Sequence, residues 1–124
     1  MAKLSEQRCV PCEGGTPPLE SARVNELIKQ IDPAWAIVPA TASEATHLRQ
    51  GFGGHVRIRR NFKFKNFVEA MKFVNRGAEI AEAEGHHPDL HIFYNKVTIE
   101  LWTHAVSGLS ENDFILAAKI DRLS

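Results

Sequence analysis

Val56-Arg57-Ile58-Arg59-Arg60-Asn61-Phe62-Lys63-Phe64, then Lys65, then Asn66-Phe67-Val68-Glu69, reads as a strand handing over to a helix. Val56, Ile58, Phe62 and Phe64 fall on one side, and Arg57, Arg59, Asn61 and Lys63 on the other. Successive strand side chains point to opposite faces, so the pattern predicts one buried face and a basic stripe in solvent, or one paired with a partner's acids. Arg60 is the exception, a charge on the apolar side. Asn66 and Glu69 have capping-box spacing: the first side chain accepts from first-turn amides and the second reaches back. A long helix follows, with Phe67, Met71, Val74, Ala78 and Ala81 down one stripe and Val68, Phe73, Gly77 and Ile80 beside it. Gly85 marks its end, because glycine adopts the left-handed conformation that closes helices.

On the N-terminal side, Val24, Leu27, Ile28 and Ile31 recur at helical spacing and predict a helix over 21–31. Asp32-Pro33 ends it, since proline disfavours helix in the preceding residue. Residues 35–38 predict a short strand, 40–45 a loop, 47–50 a further strand, and 51–54 a turn. On the C-terminal side, 90–94 predicts a strand and Asn95-Lys96 a hairpin connection. Val97, Ile99, Leu101 and Thr103 then alternate with Thr98, Glu100, Trp102 and His104, predicting a strand over 96–104. Ser110 and Asp113 form a second capping box, with Leu109 and Phe114 as its hydrophobic staple. Ile115, Ala118, Ile120 and Leu123 supply the apolar contacts of that last helix. The order is α-β-β-α-β-β-α. It predicts an α+β fold: a single four-stranded antiparallel sheet with about three helices packed on one face.

The chain has 124 residues, room for one core. Residues 1–18 read as an irregular N-terminal arm and 19–124 as the domain. Fifteen basic residues balance fifteen acidic ones, which argues against phosphate-driven nucleic-acid binding. No apolar run has the length of a membrane span, and the N-terminus lacks the apolar core of a signal peptide, so a cytoplasmic protein is expected. The two cysteines, Cys9 and Cys12, lie in a Gly/Pro-rich segment. With no second pair to complete a zinc site, they read first as reduced thiols in a flexible arm, the alternative being half of a zinc site completed across an oligomer.

Three of the six histidines, His86, His87 and His104, fall near the predicted helix end and the end of the last strand. Pro88 holds His87 extended. Three readings stay open from the residues alone. His86, His87, Asp89, His91 and His104 are suitable metal ligands, although their spacing matches no helical motif. The rings can satisfy backbone groups at a helix end. Or they form a metal-free acid–base site, since imidazole exchanges protons near neutrality.

Glu82-x-x-x-His86-His87-Pro88, Tyr94-Asn95-Lys96-Val97, Thr103-His104, Gly108-Leu109-Ser110 and Asp113 together resemble the pterin-4a-carbinolamine dehydratase family. The resemblance runs from about Trp35 to Leu123. It includes Phe62-x-Phe64-x-Asn66-Phe67, and the arm Cys9-Val-Pro-Cys-Glu-Gly-Gly-x-Pro-Pro-Leu19 is similar to that of many bacterial members. Ala105 stands where many members have an acid, and Ser107-Gly108-Leu109 where many have Gly-Gly-Leu.

The resemblance implies dehydration of 4a-hydroxytetrahydrobiopterin to quinonoid dihydropterin, a hydro-lyase reaction that recycles the cofactor of aromatic amino-acid hydroxylases. It implies no metal and no cofactor, and a homodimer or homotetramer. It makes His86, His87 and His104 the catalytic set, with Glu82, Pro88, Trp102 and Thr103 as substrate-side residues. Asp113 matches the motif's terminal acid, but its capping role already accounts for it. The alternative is a non-catalytic or bifunctional protein-binding module, because vertebrate members of the family also act as dimerisation cofactors of a transcription factor.

Overall fold

The computed structural model describes residues 3–10, 18–39, 56–106 and 108–123. Helix α1 is Ser21–Ile28, strand β1 is Ala36–Pro39, and strand β2 is Val56–Lys63. Helix α2 is Phe67–Glu84, strands β3 and β4 are Asp89–Phe93 and Lys96–Leu101, and helix α3 is Glu111–Asp121. The four strands make one antiparallel sheet in the order β1-β2-β4-β3. The α+β architecture predicted from the sequence is the one observed. The expectations for residues 40–55, and Cys12, lie outside the described residues.

In the register of β2 against β4, Ile58 faces Leu101 and Phe62 faces Val97. These four side chains and Ile99 line the covered face and are fully or nearly buried. Phe73 of α2 packs on Phe62 at 4.6 Å and on Phe64 at 5.0 Å between ring centroids. Helix α3 lies at the centre of this layer. From Asn112 to Ala118 every side chain is buried, and Ile120 as well. A helix apolar on nearly all sides belongs inside, so its burial exceeds the four contacts anticipated from the sequence.

The helix ends follow their local chemistry. The Asn66 Oδ1 accepts from the Glu69 N–H at 2.9 Å, while the Glu69 carboxylate lies 3.5 Å from Lys72. At the other end of α2, Gly85 has φ +66°. The Gly85 N–H reaches the Glu82 carbonyl and the His86 N–H the Ala81 carbonyl, the paired bonds of a Schellman closure. The box at Ser110 has both halves.

Several details depart from the sequence reading. Helix α1 stops at Ile28, because the Gln30 N–H turns back to Leu27 and the Asp32 N–H is taken by Asp121 Oδ2 at 3.0 Å. The hairpin turn is Tyr94–Asn95, one residue early, with Tyr94 itself at φ +54°. Asn95 pins the turn to the end of β2 through the Phe64 backbone. Phe67 and Val68 are exposed, and Ala70 takes their place on the buried stripe of α2.

The basic stripe of β2 is not simply solvated. Arg57 is buried and donates to Glu100 at 2.9 Å and Asp89 at 3.1 Å, and Arg59 donates to Glu100 at 2.7 Å. Arg60, the charge on the apolar face, reaches Asp121 at 2.5 Å and lies over the Phe62 ring.

Residues 3–10 lie against α3. Leu4 is buried in the core, and Lys119 donates to the Ser5 carbonyl at 3.2 Å.

Candidate active site

The Schellman closure turns the chain so that His86 leaves α2 toward the start of α3. Its Nε2 stands 2.6 Å from Asp113 Oδ1, and the side chain is 11% exposed. The carboxylate is fully buried. Its other oxygen, Oδ2, accepts from the Ser110 N–H at 2.9 Å and from the Thr103 hydroxyl at 2.8 Å. Thr103 and Ser110 also share a hydrogen bond at 2.7 Å. One carboxylate therefore joins three segments: the end of α2, the second residue after β4, and the cap of α3. Asp113 is more than a capping residue. The sequence signal was the box spacing, which occupies one of its oxygens and leaves the other for a neighbour.

His104 is placed by its backbone. It opens a 3-10 turn, His104–Val106. The Thr103 N–H donates to the Gly108 carbonyl at 2.7 Å, closing this loop at its base. Consecutive Cα atoms are about 3.8 Å apart, so the His104 backbone starts one residue from the hydroxyl that holds Asp113. The backbone of His104 and the ring of His86 thus belong to one corner of the molecule.

His87 points elsewhere. Its Nε2 meets Glu82 Oε2 at 3.0 Å, with both side chains largely exposed. Glu82 is therefore beside His87 rather than His86. After Pro88, Asp89 Oδ2 accepts from Trp102 Nε1 at 3.3 Å and from Arg57 at 3.1 Å. The Arg57 guanidinium lies over the Trp102 ring, 4.7 Å from its centroid. His91 stands 3.7 Å from Glu100. Burial pushes the Glu100 carboxyl up, but hydrogen bonds and charge from Arg59 and Arg57 outweigh it and hold the group below the usual range.

Among the described residues, no group of three His, Cys, Asp or Glu side chains is placed to hold a metal ion. None of their helices is long and apolar enough to cross a membrane.

A buried acid bonded to an imidazole at a helix–helix joint, on a helix-covered antiparallel sheet, defines a small α+β protein. Residues 17–123 match the family described as pterin 4 alpha carbinolamine dehydratase. Two relatives carry that dehydratase name provisionally. One, from Rickettsia canadensis, is 44% identical and covers 98% of this chain and 97% of its own. The other, from Rubrobacter xylanophilus, is 42% identical and covers 99% and 100%. A crystal structure from Brucella melitensis, described as a transcriptional coactivator/pterin dehydratase, is 30% identical. It superposes with a TM-score of 0.68 over 86% of this chain and 97% of its own. The chain belongs to the pterin-4a-carbinolamine dehydratase family, and with it to the hydro-lyases.

Proposed function

We propose that this chain dehydrates 4a-hydroxytetrahydrobiopterin to the quinonoid dihydropterin by histidine acid–base chemistry, without a metal. The observation that carries the reading is the 2.6 Å contact between His86 and the buried Asp113. An ionised carboxylate only accepts hydrogen bonds, so Nε2 of His86 is the donor and Nδ1 is left to exchange a proton with substrate. His86 takes the N5 proton of the pterin. His104, as imidazolium, protonates the C4a hydroxyl as the C4a–O bond breaks. The electrons of the N5–H bond form the C4a=N5 bond, and water leaves. His87, braced by Glu82, orients the substrate, and Pro88, Thr103 and the Trp102 ring line its approach.

In the cell this reaction returns a used pterin to the cycle of aromatic amino-acid hydroxylases, in the cytoplasm. Ile92 and Phe93 are exposed on the edge strand β3, and Phe67 and Val68 on α2. These surfaces support assembly as a homodimer or homotetramer. The deciding experiment is turnover of enzymatically generated 4a-hydroxytetrahydropterin. Decay no faster than without protein would refute the proposal.

The two-part description of the Brucella protein favours a second reading, a protein-binding role beside or instead of catalysis. A stoichiometric protein partner, captured with no pterin turnover, would make that the primary role.

A further inference from the structure

Two consecutive residues of the N-terminal arm touch both sides of the His86–Asp113 joint. The Cys9 N–H donates to Glu84 Oε1 at 2.8 Å. Glu84 is the last residue of α2, two positions before His86. Val10 is held at both of its backbone groups by one side chain. Its N–H donates to Asn112 Oδ1 at 3.0 Å, and Asn112 Nδ2 donates to its carbonyl at 2.6 Å. Asn112 immediately precedes Asp113 and is itself buried. The Cys9 thiol sits 3.7 Å from the Asn112 carbonyl. Lys119 closes the circuit, 3.6 Å from Glu84 and bonded to the Ser5 carbonyl.

We infer that the arm is a clamp for catalysis, with Glu84 and Asn112 as positioning residues that set the separation of His86 from Asp113. This rests on the reading of that pair as active-site groups. The two helices meet at the joint through their ends. The His86–Asp113 bond spans that gap directly, and the arm spans it a second time, one or two residues away on each side. The Glu84 carboxyl is held below its usual range chiefly by the Cys9 amide, with Lys119 adding to it against the cost of burial. The arm bond is therefore made to a charged acceptor, the stronger kind of hydrogen bond. A loose joint would let the imidazole swing from its acid, and small misplacements of reacting groups are costly in rate.

The test uses the full chain, with Asn112→Ala, Glu84→Ala and Glu84→Gln. The amide of Glu84→Gln still accepts from Cys9. The readouts are steady-state kinetics and the downfield proton resonance of His86 Nε2–H in NMR spectra. Asn112→Ala and Glu84→Ala should lower kcat about tenfold, less than a full 1 Å misplacement can cost. KM should stay within about twofold, and the proton resonance should move upfield or be lost to exchange. Glu84→Gln should restore most of the rate and the resonance. If Asn112→Ala does not fold, the Glu84 pair decides. Wild-type rate and resonance in both alanine variants would overturn the clamp, as would Glu84→Gln failing as badly as Glu84→Ala. If the wild-type chain has no dehydratase activity, the function proposed above fails, and the resonance alone decides whether the arm sets the joint.

Discussion

His86 Nε2 and Asp113 Oδ1 stand 2.6 Å apart across the joint between α2 and α3. If that pair moves the N5 proton, His86→Ala should cost about 10²–10⁴ in kcat, the usual worth of a positioned acid or base. Asp113→Asn should lower kcat while leaving KM nearly unchanged. Asp113→Ala should also destabilise the fold, because the Ser110 N–H and Thr103 hydroxyl lose their acceptor. That cost is about 1–3 kcal/mol, readable in a urea melt.

His87 and Glu82 form an exposed pair, and exposed pairs contribute about 0–1 kcal/mol. Alanine at either position should leave the melting temperature unchanged. If His87 orients the substrate, His87→Ala should raise KM more than it lowers kcat. A kcat loss as large as that of His86→Ala would instead make it a proton carrier.

The Arg57–Glu100–Arg59 cluster predicts a pH effect on stability. Glu100 titrates lower in the fold than its ordinary 4.5, so near that pH the unfolded chain binds more protons than the folded one. Its contribution is present above that ordinary value and is lost as pH falls through the folded one. Arg57→Leu should destabilise by about 3 kcal/mol, the lower end for breaking a buried pair, since Arg59 remains. With Arg57 gone, the folded Glu100 carboxyl titrates closer to its ordinary value, so the acid-induced loss should be smaller in the variant and complete at a higher pH. Urea melts across the acid range would show it.

Cys9 should be a sluggish thiol. Burial first, then the Glu84 charge, pushes it up to about 12. In a Cys12→Ser background, alkylation near pH 8 should run at least roughly a hundredfold slower than for an ordinary thiol, because only the thiolate reacts. Alkylation at the ordinary rate would show the arm released from Glu84.

Much of this architecture was legible in the chain. The alternation of Val56 to Phe64 and of Val97 to Thr103 marked two central strands, since each has one covered face. Asn66, Gly85 and Ser110 marked helix ends through their own local bonding. The partners that meet across long separations were not legible. Arg57 looked solvated because nothing local shows Glu100 arriving beside it, forty-three residues later in sequence. Asp113 looked occupied because capping explains an acid at that spacing, whereas its bond to His86 spans twenty-seven residues. The arm looked idle for the same reason: Val10 and Asn112 are 102 residues apart.

Helix α3 is the most enclosed segment described, yet it follows every strand it covers. During synthesis, at about 5–20 residues per second, the sheet emerges with Ile58, Phe62, Val97, Ile99 and Leu101 still open to water. Until α3 folds back over it, the nascent protein carries a sticky, half-finished surface, so chaperone capture should be strongest before Phe114 is free to pack.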